Sequence, residues 1–81
     1  MMSDKSLLQD FITETGEHLE ETERNLLRMK QQPDDVDTLN TIFRSVHTIK
    51  GSSEYMGLEG IATLSHQLES LLEELRRKEL S

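Results

Sequence analysis

Leu39-Asn40-Thr41-Ile42-Phe43-Arg44-Ser45-Val46-His47-Thr48-Ile49-Lys50-Gly51-Ser52-Ser53-Glu54-Tyr55-Met56-Gly57 is the stretch on which the fold turns. Leu39, Ile42, Phe43, Val46, Ile49, Ser53 and Met56 recur in steps of three and four, the period of a helix rather than the alternation of a strand. Asp34 or Asp35 can cap its start, because a short carboxylate accepts from a free backbone N–H. Gly57 suits its end, where a left-handed residue closes the last turn. Upstream, Gln31-Gln32-Pro33-Asp34-Asp35 reads as a loop. Before it, Leu8, Ile12, Thr15, Leu19, Thr22, Leu26 and Met29, flanked by Phe11 and Leu27, form a second helical stripe with Ser3 or Asp4 as its cap. Gly16 falls inside that helix, with close packing as one reason for it. Downstream, Ile61, Leu64, Leu68, Leu71, Leu72 and Leu75 form a third. The expected helices are about 5–30, 35–56 and 58–79 in a single domain, residues 1–81. Short connections make consecutive helices antiparallel neighbours, so the fold class is an all-α antiparallel bundle.

Composition narrows the function. A chain of 81 residues has a thin core, and with no cysteine it has no disulfide to reinforce it. The net charge of −7 speaks against nucleic acid and anionic membrane surfaces, both of which attract basic faces. No apolar run approaches membrane-spanning length, and the first residues lack the pattern of a signal peptide. The expected location is cytoplasmic.

Chemistry concentrates on the second helix. His47 lies about 100° from Val46, the centre of the stripe, at the edge between core and solvent. Lys50 follows one turn later, and Gly51 removes a side chain on the same side. On the third helix Glu69 holds the same edge position relative to Leu68, and His66 points further out. Neutral imidazole is a nucleophile near neutral pH. A carboxylate on one ring nitrogen fixes the tautomer and stabilises the imidazolium that develops. A lysine offsets charge on transferring phosphoryl oxygens. Taken singly, an edge histidine on a helix is most often an ordinary surface residue, and Lys50 and Glu69 are ordinary too. Gly51 beside them shifts the balance, because a glycine inside a helix is destabilising unless something must come close.

The run Phe43 to Ser53, followed by Met56-Gly57-Leu58, resembles the phosphorylation-site helix of histidine phosphotransfer (HPt) domains, above all the N-terminal domain of CheA-type chemotaxis kinases. Leu64-Ser65-His66-Gln67-Leu68-Glu69-Ser70-Leu71-Leu72 is similar to the next helix of that family, and Leu8 to Glu21 to its first. The resemblance implies that His47 is phosphorylated through Nε2, that Glu69 bonds its Nδ1, that Lys50 stabilises the phosphoryl group, that His66 is an auxiliary neighbour and that Gly51 keeps the imidazole accessible. It implies a phosphocarrier, not an enzyme on its own. The phosphoryl group would come from a histidine kinase ATP-binding domain and pass to a response-regulator receiver aspartate. ATP and Mg would sit on partner domains, with no cofactor bound here.

Two features depart from the family. Glu54 stands where a small residue is usual. The family's bundle has four helices, whereas Ser81 follows three, so the fourth is either cut away or borrowed, and a homodimer is one way to supply it. The competing reading is a non-catalytic helical interaction or dimerisation domain. A di-metal carboxylate bundle fits poorly, since no histidine has a Glu three residues before it. A nucleotide enzyme fits no better, since there is no phosphate-cradling glycine loop.

Overall fold

Each of the three stripes folds as one helix. The computed structural model describes residues 4–80. They form α1 (Asp4–Gln31), α2 (Val36–Met56) and α3 (Glu59–Leu80), an all-α bundle. The cap expected at Ser3 or Asp4 falls on side chains outside those described. At the start of α2 the cap is Asp35: its carboxylate accepts from the Thr38 backbone N–H at 3.1 Å and from the Thr38 hydroxyl at 2.7 Å. The Thr38 hydroxyl, then its N–H, hold the Asp35 carboxyl below its ordinary value. At the other end Gly57 takes φ 73°, its N–H donates to the Glu54 carbonyl, and the Leu58 N–H donates to the Ser53 carbonyl. This pair of bonds satisfies carbonyls that the helix end leaves open, and only glycine adopts that φ without strain.

Among the described residues α2 lies between the other two helices and packs on both, while α1 and α3 do not pack on each other. The α2–α3 pair runs antiparallel, since Asn40 reaches Arg76 whereas His47 and Lys50 reach Glu69. A cluster of Leu39, Ile42, Val46 and Leu72 forms the centre, with Met29 of α1 and Phe43 packed against it. Phe11 and Ile49 are also buried. Small polar residues fill the seams: Ser45, Ser53 and Ser65 are buried, and the Ser53 hydroxyl returns to the Ile49 carbonyl at 2.7 Å.

The outer helices depart from expectation. Much of each sequence stripe is exposed: Leu8, Ile12, Leu19, Leu26 and Leu27 on α1, and Ile61, Leu64, Leu68, Leu71 and Leu75 on α3. What α1 turns inward is Phe11, with Thr15, His18, Thr22 and Met29 partly covered. The exposed stripes sit roughly a quarter turn from the lines that meet α2. The open side therefore carries larger apolar residues than the α1–α2 seam does. That seam even buries His18 Nδ1 and Thr22 Oγ1 without hydrogen-bond partners. Gly16 is not explained by close packing, because an added Cβ there would meet nothing within 4 Å.

Candidate functional site

The fourth turn of α2 and the middle of α3 bring three charged or ionisable side chains together. The imidazole Nδ1 of His47 lies 2.7 Å from Oε2 of Glu69. Oε1 of the same carboxylate accepts from Lys50 Nζ at 3.1 Å. An ionised carboxylate only accepts, so the bond places the proton on Nδ1 and leaves the lone pair on Nε2. Burial depths differ in a useful way. The Glu69 and Lys50 side chains are each 17% exposed, while that of His47 is 63% exposed. The pair beneath is fixed and the ring above is open to solvent.

Burial pushes the Glu69 carboxyl up, but the bonds from His47 and Lys50 and the charges behind them outweigh it. The carboxyl is held below its ordinary value of 4.5 and stays ionised at neutral pH. A charged acceptor makes a stronger bond than a neutral one. It is also placed where an imidazolium would form.

The ring has a further contact that sequence reading did not single out. Phe43, one turn before His47, lies nearly parallel to the imidazole, with 11° between planes and 6.4 Å between centroids. The Arg76 guanidinium covers Phe43 at 4.7 Å from the ring centroid. Arg76 is anchored by Glu73 at 2.6 Å and Asn40 at 3.3 Å. The signal was present: Phe43 and His47 are four apart on a helix, and Arg76 follows Glu69 by two turns on the same face. A shallow hollow beside the ring is lined by Phe43, Arg44, His47, Thr48 and Glu69.

The remaining expected residues border other hollows. His66 takes no part in the hydrogen bonds of the site and lines a separate hollow with Glu54, Ala62, Thr63 and Gln67. Gly51 lines a hollow between α1 and α2 with Leu7, Phe11 and Tyr55, and an added Cβ there would meet nothing within 4 Å. No internal contact therefore requires glycine at 51. Among the described residues no group of three or more His, Asp or Glu side chains converges as a metal site. No helix among them is long and apolar enough to cross a membrane.

The chain is similar to known proteins. The Hpt domain family matches residues 6–81. The Helicobacter pylori sensor histidine kinase CheAY is 37% identical over 76 residues, which cover 94% of this chain and 10% of that protein. The Listeria monocytogenes chemotaxis protein CheA is 40% identical over 76 residues, 94% of this chain and 12% of its own length. The Bacillus subtilis chemotaxis protein CheA is 38% identical over 73 residues, 90% of this chain and 11% of its own length. The chain thus spans about a tenth of the length of the relatives it matches. No solved structure matches it significantly.

Proposed function

The chain belongs to the Hpt domain family, and from that premise we propose that it is a phosphocarrier in which His47 accepts a phosphoryl group on Nε2 and hands it on. The observation that carries this reading is the 2.7 Å bond from His47 Nδ1 to Glu69 on a ring otherwise open to solvent. That bond selects the nucleophilic tautomer and stabilises the positive ring of the phosphorylated state. Lys50 keeps Glu69 ionised, and its remaining N–H donors can meet phosphoryl oxygens at a partner's surface. Gly51 follows His47 by one helical turn and its Cβ position meets open space, which leaves room there for a partner domain.

The names of the relatives point to the setting. The donor is the ATP-binding domain of a CheA-type histidine kinase, which holds ATP and Mg, and the acceptor is an aspartate of a response-regulator receiver. The module itself is a carrier and not an enzyme alone. It acts in the cytoplasm, in a chemotaxis or other two-component pathway. Incubation with a CheA-type kinase domain and labelled ATP tests the reading. Acid-labile label on the chain, chased off by a receiver domain, supports it; a chain that stays unlabelled beside a labelled control phosphotransfer domain refutes it.

The exposed stripes of α1 and α3 favour a second property, pairing with another copy. Apolar surface left in water is unfavourable by about 25 cal/mol per Å², and a two-fold dimer is the commonest closed way to cover it. His47 stays accessible in such a pair, because it lies at the α2–α3 edge and not on either stripe. Assembly without labelling would instead describe an interaction domain.

A further inference from the structure

The Glu69 bond holds the imidazole of His47 at one atom, and a ring held at one atom can still swing about that contact. The partner that limits this swing is Phe43. Its ring lies 11° from parallel with the imidazole at a centroid separation of 6.4 Å, inside the range of offset aromatic stacking. Phe43 is itself confined. It packs against the core cluster, and the Arg76 guanidinium lies 4.7 Å from its centroid. Arg76 in turn bonds Glu73 on its own helix and Asn40 on α2, so the cover over Phe43 is tied to both helices.

We propose that Phe43, held under Arg76, is a positioning residue that sets the plane of the His47 imidazole and so the line along which Nε2 meets phosphorus. This rests on the phosphocarrier reading above. In the transfer step the Nε2 lone pair forms the new N–P bond. The bond from phosphorus to the leaving group breaks, and the leaving group keeps that electron pair. The Nδ1 proton stays between the ring and Glu69. In-line displacement is sensitive to the angle of approach, and small misplacements of a reacting group reduce rates strongly. Glu69 supplies the tautomer; Phe43 supplies the direction.

Phosphoramidate is a suitable test donor, because its phosphoryl group passes to imidazole with ammonia leaving, and no partner protein is needed. The stack is worth about 0.5–1.5 kcal/mol, so Phe43→Leu is expected to slow labelling by up to about tenfold. Removing the guanidinium cover in Arg76→Gln should slow it by about threefold. Phe43→Tyr keeps an aromatic face and should restore the rate. Side-chain NMR of His47 should show unchanged Nδ1 protonation in Phe43→Leu, with loss of the ring-current shift and greater ring mobility. A merely structural Phe43 would lower the melting temperature without that signature. Wild-type labelling rates and ring order in both Phe43→Leu and Arg76→Gln overturn the proposal. If Phe43→Leu fails to fold, Arg76→Gln and Phe43→Tyr decide it. A wild-type chain that takes no label defeats the phosphocarrier reading instead, and the ring order in the same variants still decides whether Phe43 positions His47.

Discussion

Replacing Glu69 by Gln changes one oxygen to an amide at constant size and removes the charge shared by His47 and Lys50. In the native chain both carboxylate oxygens are used, Oε2 by Nδ1 at 2.7 Å and Oε1 by Nζ at 3.1 Å. Hydrogen bonds to charged groups are worth about 1.5–3 kcal/mol. If that difference appears in the transition state, where the ring becomes positive, the labelling rate falls by roughly 10- to 100-fold. Folding should lose about 1–3 kcal/mol, the cost of leaving a mostly covered Lys50 without its charged partner. The pH dependence has a definite sign. The Glu69 carboxyl is held below its ordinary 4.5, so its contribution to stability is complete above that value and disappears as pH falls through the lower folded value. Wild type and Glu69→Gln should therefore differ at neutral pH and converge in solution more acid than the ordinary carboxylate value. Labelling from phosphoramidate at neutral pH, beside thermal melts across the acid range, measures both. A rate within twofold of wild type would make Glu69 an ordinary solvated acid and refute this account of it.

Other expectations follow from single contacts. His47→Gln should abolish acid-labile label with the helical circular-dichroism spectrum retained, since the ring is mostly in solvent; label persisting on His18 or His66 would move the site. Gly51→Ala meets open space and removes a helix-interior glycine, so it should stabilise the fold by about 0.5–1 kcal/mol in a denaturant melt. The same variant should label normally with phosphoramidate and more slowly from a kinase domain, if Gly51 serves partner approach. Asp35→Ala removes both bonds to Thr38 and should lower the melting temperature while leaving labelling unchanged. Light scattering at micromolar concentration should give a dimer, and a paired Ile12→Glu, Leu64→Glu variant a monomer; a wild-type monomer with a cooperative melt removes the dimer proposal.

The ends of α2 were legible because they rest on local chemistry. Asp35 reaches a backbone N–H three residues on, and Gly57 takes a conformation that other residues avoid. The meeting of His47 with Glu69 was legible too, because both sit at an edge of their stripes and the helices they occupy are sequential neighbours. Burial on the outer helices was not. A stripe marks which side of a helix is apolar, but α1 and α3 each carry two such lines, and the bulkier one is the open one. Ile12 and Leu64 are 60% and 65% exposed, while the inward line is held by Phe11 and by residues such as Thr15 and Ser65 that carry little hydropathy. Gly51 illustrates another limit. Sequence placed it one turn after His47 and did not show that it also borders the hollow between α1 and α2. His66 borders a hollow with Glu54, a neighbour that the resemblance did not indicate. The Arg76–Phe43–His47 stack depends on a side-chain path from α3, which periodicity does not specify.

The most direct measurement is the position of the phosphate itself. The chain is labelled by a CheA-type kinase domain with ATP, digested under alkaline conditions that preserve phosphohistidine, and mapped by mass spectrometry, with phosphorus NMR of the intact protein to assign the ring nitrogen. One phosphate is expected, acid-labile and alkali-stable, on Nε2 of His47. Phosphate on His18 or His66, attachment through Nδ1 of His47, or an unlabelled chain beside a labelled control phosphotransfer domain would contradict it.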